Sequence, residues 1–133
     1  MKKILLDTCI ISYLLKGSPI AEKYRKHIEG NYPMINFTIL GELYRWPLKQ
    51  NWGEERRRKL EERVRNYLVI PYDAEICRKW AEVTVEAERK GKTISLKDSW
   101  IIATALRHNI PVVTHNRSDF EGVPGLTVIS ESP

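Results

Sequence analysis

The sequence predicts an α/β fold in which a central, mostly parallel five-stranded sheet lies between two layers of helices. Short apolar runs, typical of buried strands, alternate with longer segments whose apolar residues recur at helical spacing. No linker rich in Gly, Ser or Pro divides the 133 residues, an ordinary length for one domain. Residues 1–133 are therefore expected to form a single three-layer α/β/α domain, Rossmann-like, with right-handed crossovers.

Each predicted strand is a short apolar run that ends at a polar or turn-forming residue. The first run, Lys2 to Leu6, stops at Asp7. The third contains Pro71, which cannot donate a ladder hydrogen bond, so this strand is expected at an edge of the sheet. The five predicted strands cover residues 2–6, 33–37, 67–72, 111–114 and 126–129.

The predicted helices follow from capping residues and from apolar residues at helical spacing. Thr38 is the predicted N-cap of the third helix, and Pro47 marks its end or a kink. In the fourth helix, acids that precede bases by four positions indicate a solvated surface. Asp73 caps the long fifth helix, which ends near Gly91, and Asn109 closes the sixth. The bounds of the other helices are residues 9–15, 19–29, 53–66 and 96–108.

The composition is that of an ordinary globular protein, with 42% hydrophobic and 29% charged residues. The 22 Lys and Arg against 17 Asp and Glu give a net charge of +5, which is a weak indication of polyanionic partners. No apolar run approaches the roughly 20 residues of a membrane span. Asp7 also interrupts the N-terminal apolar run too early for a signal peptide. We therefore expect a soluble, cytoplasmic protein with no membrane partner.

The cysteines and histidines form no recognisable metal or redox motif. Cys9 and Cys77 lie far apart, each among apolar neighbours, and are expected to be buried and inert. The three histidines lack the spacing of metal ligands, so the sequence does not support a zinc site.

Four polar residues from separate segments are predicted to meet at one edge of the sheet. Asp7 follows the first strand, and Glu42 lies in the first turns of the helix after the second strand. Asp98 lies in the first turn of the helix before the fourth strand, and Asn116 follows that strand. Ligands of an open parallel sheet bind beyond the carboxyl ends of its strands. The N-termini of antiparallel crossover helices open onto the same edge, so a polar site is expected there.

Each of these residues also has a purely structural explanation. Asp7 is explained as a helix cap, and Asp98 as part of a capping box with Ser95. Glu42 is explained by the positive end of its helix, and Asn116 as a turn residue.

Several acids at one edge would nevertheless destabilise the fold. Two carboxylates ~5 Å apart repel by roughly 3 kcal/mol at an effective dielectric constant of ~20, which is a large share of a domain's stability. A divalent cation would turn that repulsion into attraction, and oxygen ligands without Cys or His suit Mg²⁺ or Mn²⁺. Such a site is suited to phosphodiester hydrolysis.

Four motifs resemble those of PIN domains, in the same order and at similar spacing. Leu5-Leu6-Asp7-Thr8 resembles the opening motif, in which Asp-Thr or Asp-Ser ends a hydrophobic strand. Glu42-Leu43 near the start of a helix resembles the second motif, and Asp98 before an apolar, Ala-rich helix resembles the third. The segment from Val112 to Phe120 is similar to the closing motif. Over essentially the whole chain, order and spacing resemble the VapC-type toxins of prokaryotic toxin–antitoxin pairs.

This resemblance implies a PIN fold and a Mg²⁺- or Mn²⁺-dependent endoribonuclease acting on single-stranded RNA, often transfer RNA. It also implies a homodimer and a cognate antitoxin protein that blocks the active-site groove. Asp7 and Asp98 would be the principal metal ligands. Glu42 would hold the metal directly or through water and help to orient the attacking water. The family often has an acid where this chain has Asn116, and Asp119 is then a candidate for the missing charge.

Two other functions remain as alternatives. A non-catalytic PIN-like module that binds RNA or protein would need only structural acids, and the presence of Asp7, Glu42 and Asp98 at the motif positions argues against it. An Asp-dependent phosphatase would need a second acid two residues after Asp7, where the chain has Cys9. A receiver domain would need an acid pair that we do not find.

Two further features of the sequence have two explanations each. The basic stretch from Arg56 to Arg65 either follows RNA phosphates or belongs to a solvated helix. Trp46 and Trp52 either pack against a second copy or an antitoxin, or fill the core.

Overall fold

The computed structural model describes residues 1–133 and contains one sheet of five strands. The strands are β1 (Lys3–Leu6), β2 (Tyr32–Asn36), β3 (Leu68–Ile70), β4 (Val112–Val113) and β5 (Val128–Ile129). The helices are α1 (Thr8–Lys16), α2 (Pro19–Ile28), α3 (Phe37–Lys49), α4 (Glu54–Val64), α5 (Ala74–Arg89) and α6 (Leu96–His108). A single 3₁₀ turn covers Arg117–Asp119.

The strand order places the helices in two layers. All neighbouring strands are parallel, in the order β3-β2-β1-β4-β5. The chain moves from β1 to β3 in one direction, so right-handed crossovers put α1 to α4 on one face of the sheet. It then returns to β4 on the other side of β1, which puts α5 and α6 on the opposite face. The predicted three-layer α/β/α architecture is confirmed, and β3 lies at an edge as expected.

The core is one continuous cluster of 26 buried side chains. In the centre of the sheet, Ile4 to Leu6 and both residues of β4 are fully buried, as expected for strands covered on two faces. In α6, every side chain from Ile101 to Ala105 is buried as well. The first turn of α6 is therefore held in place by the part of the helix that packs into the core.

The predicted N-cap of α3 is wrong by two residues. Asn36, not Thr38, caps this helix, because its Oδ1 accepts hydrogen bonds from Ile39 N at 2.9 Å and from Thr38 Oγ1 at 2.8 Å. Asn36 Nδ2 donates to Thr104 Oγ1 at 3.1 Å, so a fully buried amide joins β2, α3 and α6. Pro47 lies within the last turn of α3, which continues to Lys49.

The prediction that both cysteines are buried is wrong for Cys77, which is exposed on α5. Its neighbour Ile76 faces the core, and successive helical side chains point in directions about 100° apart. Cys9 is half-buried. None of the helices combines the length and apolar character needed to cross a bilayer.

Candidate active site

The site lies where the order of the strands reverses, beyond the carboxyl ends of β1 and β4. Asp7 follows β1, and Thr114 follows β4. The backbone amide of Asp7 donates to Val113 O at 2.9 Å, so the two strand ends are hydrogen-bonded to each other. In open parallel sheets, the crevice at such a reversal is the usual place for a ligand.

The Asp7 carboxylate is 2% exposed and accepts hydrogen bonds from two segments of the chain. Its Oδ1 accepts from Thr8 N at 2.8 Å and thereby caps α1. Its Oδ2 accepts from Thr114 Oγ1 at 2.8 Å. Two longer hydrogen bonds also reach the carboxylate, from Thr8 Oγ1 to Oδ1 at 3.4 Å and from Cys9 Sγ to Oδ2 at 3.5 Å, and together the four bonds fix its orientation. Asp7 is therefore a helix cap whose carboxylate is held in one orientation at the end of β1.

Thr114 is a residue of this site that sequence reasoning did not single out. It is fully buried, and its Oγ1 also accepts a hydrogen bond from Asn116 N at 3.0 Å. One hydroxyl thus sets both the orientation of Asp7 and the start of the turn that follows β4. The only signal in the sequence was a hydroxyl after two valines, and threonine is common in strands for reasons of packing alone.

Asp98 lies in the first turn of α6, where Ser95 Oγ accepts a hydrogen bond from its backbone amide at 3.1 Å. The return bond of a capping box, from Ser95 N to the Asp98 carboxylate, is absent. Burial raises the pKa of Asp98 above the ordinary value, although contact with the Ser95 side chain lowers it. The negative charges of Asp7 and Asp119 raise this pKa further, and the Lys97 ammonium lowers it. Asp98 is therefore a half-buried carboxylate close to other acids.

Lys97 connects the start of α6 to the start of α1. Its Nζ donates to Thr8 Oγ1 at 3.1 Å, and that hydroxyl lies 3.4 Å from Asp7 Oδ1. The first turn of α6 therefore lies beside the start of α1, next to Asp7.

The other candidate residues are less closely joined to this pair. Glu42 is half-buried in α3, and its carboxylate forms no hydrogen bond or ion pair within the protein. Asn116 and Asp119 are both exposed, at the two ends of the turn after β4, where Asn116 O accepts from Asp119 N at 3.0 Å. No three His, Cys, Asp or Glu side chains lie close enough together to hold a metal ion as they are placed.

The donors present nevertheless fit a hard divalent cation. They are oxygen atoms, and the charges of Asp7 and Asp119 act on Asp98, while the Lys97 ammonium offsets only part of this repulsion without forming an ion pair. The nearby thiol is not a competing ligand, because burial and then the charge of Asp7 raise the pKa of Cys9 to about 11. Cys9 therefore stays a neutral thiol near neutral pH.

A buried tyrosine supports the segment after β4. Tyr24, on α2, donates from its hydroxyl to Thr114 O at 3.2 Å and lies 2.6 Å from His115 Nδ1. The same hydroxyl accepts a hydrogen bond from Glu131 N at 2.9 Å. It therefore ties the end of β4 and the C-terminal segment to α2, which limits the movement of the residues that flank Asn116.

The two tryptophans left open by the sequence line a cleft of about 350 Å³ between α1, α3 and α4. Trp46 and Trp52 are half-buried with ring centroids 6.4 Å apart, and the Arg56 guanidinium lies 4.2 Å from the Trp52 ring centroid. Lys16 and Lys59 also line this cleft. The rings pack against the core on one side and remain accessible on the other, so each explanation accounts for part of their surface.

Comparison with known proteins identifies the family. The family model of the PIN domain matches residues 4–126. The VapC ribonuclease Y4jK of Sinorhizobium fredii is 31% identical over 138 residues, with 96% of each chain covered. The tRNA(fMet)-specific endonuclease VapC of Shigella flexneri is 28% identical over 126 residues, covering 95% of this chain and 96% of its own.

Solved structures give the same result. The VapBC2 complex of Rickettsia felis, bound to a DNA fragment from its promoter, contains a chain with a TM-score of 0.86 and 25% identity, covering 96% of this chain and 98% of its own. The VapBC-1 complex of nontypeable Haemophilus influenzae contains one with a TM-score of 0.82 and 26% identity, covering 98% of both chains. The chain therefore belongs to the PIN-domain family, in its VapC group.

Proposed function

We propose that the protein is a Mg²⁺- or Mn²⁺-dependent endoribonuclease and the toxin of a toxin–antitoxin pair. The observation that supports this most directly is that the first turn of α6, which carries Asp98, is hydrogen-bonded through Lys97 to Thr8 beside Asp7, at the strand-order reversal of a PIN domain. The relatives named ribonuclease VapC support the reaction type. The rival hypothesis is a PIN-like module that binds RNA or protein and does not cut.

The residue roles in this proposal follow from position and charge. Asp7 and Asp98 would be the principal metal ligands, and Glu42 would hold the metal directly or through a water molecule. Glu42 would also orient the water that attacks phosphorus. Asn116 would contact the substrate or the metal with a neutral amide, and Asp119 is the candidate for an additional carboxylate. The bound cation would supply polarisation of the phosphate and a lowered pKa of a coordinated water.

The residues around these ligands would act by holding them still. Thr114 fixes Asp7 through the 2.8 Å hydrogen bond to Oδ2, and the buried part of α6 fixes Asp98. Catalytic groups that are held in place need little rearrangement when charge develops in the transition state. We therefore propose Thr114 as a positioning residue of this reaction.

The proposed partners follow from the relatives. One relative is named a tRNA(fMet)-specific endonuclease, which makes transfer RNA the first substrate to test and the cytoplasm the place of action. Similar structures are complexes of toxin and antitoxin, so we propose a cognate antitoxin that blocks the active-site groove. We also propose a homodimer, on the basis of the motif resemblance described above.

The test is an RNA cleavage assay with the purified, antitoxin-free protein and Asp98→Asn prepared in parallel. Wild type should cut transfer RNA in Mg²⁺ or Mn²⁺ and lose activity in EDTA, and Asp98→Asn should be inactive. Asp73→Asn is a control for the same chemical change in the first turn region of another helix, because Asp73 is the N-cap of α5 and lies outside the site. Equal cleavage by Asp98→Asn, or cleavage that persists in EDTA, would refute the metal mechanism. RNA binding without cleavage by the wild type would favour the rival module.

A further inference from the structure

We propose that Lys97 is a further catalytic residue, whose ammonium group binds a non-bridging oxygen of the scissile phosphate. This inference rests on the ribonuclease function proposed above. Lys97 is not one of the acids or amides that were named as site residues in the four motifs.

The position of the ammonium group supports this role. Lys97 is half-buried and directly precedes Asp98. Two contacts, of 3.1 Å from Nζ to Thr8 Oγ1 and 3.4 Å from Thr8 Oγ1 to Asp7 Oδ1, connect it to the other principal carboxylate. Any phosphate that contacts a cation held by Asp7 and Asp98 would therefore lie close to this ammonium.

Lys97 also has hydrogen-bonding capacity that the protein does not use. An ammonium has three N–H donors, and only the bond to Thr8 Oγ1 is made within the chain. None of the nine ion pairs within 4.0 Å includes Lys97, although acids lie nearby. The Asp98 carboxylate acts on this ammonium from beyond ion-pair distance, and the ammonium's single hydrogen-bond partner is a neutral hydroxyl. Two donors thus remain for an anionic ligand.

A phosphodiester is the anion that the proposed reaction brings to this place. Hydrolysis forms a bond from the water oxygen to phosphorus and breaks the bond from phosphorus to the leaving nucleotide oxygen. One water proton passes to solvent, and the leaving oxygen takes a proton from solvent. The non-bridging oxygens carry negative charge throughout, and a fixed ammonium donor stabilises that charge. Lys97 keeps its proton during these steps, so its contribution is electrostatic.

The competing explanation is that Lys97 only ties α6 to α1 through Thr8. Lys92 provides a matched control for this possibility. It is also half-buried, and its Nζ also donates to a single uncharged oxygen, the backbone carbonyl of Glu121. Lys92 belongs to the loop between α5 and α6 and is not among the charges that act on Asp98. If each lysine contributes only a stabilising contact to the fold, its loss should therefore affect both positions alike.

The experiment compares wild type, Lys97→Met, Lys97→Arg and Lys92→Met, each purified without antitoxin. Single-turnover cleavage of labelled transfer RNA is measured in Mg²⁺, and affinity for the same RNA is measured with Ca²⁺ in its place. Mn²⁺ binding is measured by calorimetry. We expect Lys97→Met to cleave about 100-fold more slowly, as when one transition-state donor is removed. We also expect RNA binding several-fold weaker, Mn²⁺ affinity not weakened, and at least tenfold recovery of the rate in Lys97→Arg. Lys92→Met should behave as wild type.

Three outcomes would overturn the inference. The first is an equal effect of Lys97→Met and Lys92→Met on cleavage. The second is a loss of cleavage by Lys97→Met together with weaker Mn²⁺ binding, because Lys97 would then position the ligands and not the phosphate. The third is unchanged RNA affinity and unchanged rate in Lys97→Met. A wild-type protein that does not cut RNA would refute the proposed function and with it the catalytic role of Lys97, whereas a wild type that cuts RNA and an unimpaired Lys97→Met would refute only the role of Lys97.

Discussion

Replacement of Asp98 by Asn and of Asp7 by Asn should change the stability of the metal-free protein in opposite directions. Burial raises the pKa of Asp98 in the folded protein above its value in the unfolded chain. The folded state therefore binds the proton more tightly, and the ionised carboxylate destabilises the fold at pH 7. This penalty is absent below the ordinary pKa of an aspartate and complete above the raised one. Asp98→Asn should accordingly unfold at a higher temperature than wild type at pH 7, and the difference should disappear at acidic pH.

Asp7→Asn should be destabilising because the Asp7 carboxylate accepts two short hydrogen bonds. Asn retains an oxygen that can accept from Thr8 N, but its amide nitrogen replaces the oxygen that accepts from Thr114 Oγ1. A hydrogen bond to a charged group contributes roughly 1.5–3 kcal/mol, and part of this loss is recovered when Thr114 rotates. We expect a net loss of about 1–2 kcal/mol. For a chain of this length, that corresponds to a fall of about 3–10 °C in Tm.

The assay is thermal unfolding of wild type and both variants in EDTA at neutral and acidic pH, followed by titration with Mn²⁺ at neutral pH. At 100 times its Kd, a ligand that binds only the folded state stabilises it by about 2.7 kcal/mol. The Tm of wild type should therefore rise as Mn²⁺ is added, and the Tm of Asp98→Asn should rise little. If Asp98→Asn has a lower Tm than wild type, or a higher Tm whose difference from wild type does not depend on pH, then the ionised Asp98 carboxylate does not destabilise the fold as argued. An unchanged Tm in Asp7→Asn would refute the account of its hydrogen bonds.

The remaining predictions concern residues around the site. Asn116→Asp should tighten Mn²⁺ binding in calorimetry by on the order of 1–3 kcal/mol, whereas Asp119→Asn should weaken it if Asp119 supplies a charge and leave it unchanged if it is a turn residue. Iodoacetamide at pH 8 should label Cys77 and spare Cys9 in peptide mass spectrometry, because only the thiolate reacts and the pKa of Cys9 is raised to about 11; equal labelling would contradict this. Trp52→Ala should weaken binding of the antitoxin and leave RNA cleavage intact if the cleft receives a partner, whereas a lower Tm with unchanged affinity would identify a core residue.

The fold and the meeting of the strand ends could be predicted from the sequence because both depend on short-range patterns. Apolar runs such as Ile4 to Leu6, each ended by a polar residue, are sufficient to place strands. Parallel strands then bring their carboxyl ends to one edge, whatever the details of packing. That rule predicts that the segments carrying Asp7 and Asp98 lie close together, and the Lys97–Thr8 hydrogen bond joins these two segments.

The supporting hydrogen bonds could not be predicted, because they join residues far apart in sequence. Thr114 and Asp7 are 107 positions apart, and Asn36 and Thr104 are 68 positions apart. From the sequence, Asn36 resembles an interior residue of the second strand and Thr38 resembles the better cap. The structure is needed to show that β2 ends at Asn36. The exposure of Cys77 could have been predicted locally. Ile76 faces the core, so the next residue of the helix points away from it, and the presence of apolar neighbours in the sequence does not show this.

The contrast between Asp7 and Asp98 indicates which part of the site a ligand would complete. Asp7 is almost fully buried, and short protein hydrogen bonds reach both of its oxygens. Asp98 is half-buried, its own amide is capped by Ser95, and its carboxylate lies in the field of Asp7 and Asp119. A fold that served stability alone would gain from a neutral residue at position 98, since removal of that charge removes a penalty. A bound cation would turn this destabilising charge of Asp98 into a favourable interaction. Replacement of Asp98 therefore separates function from stability best, because it should remove metal binding and raise stability.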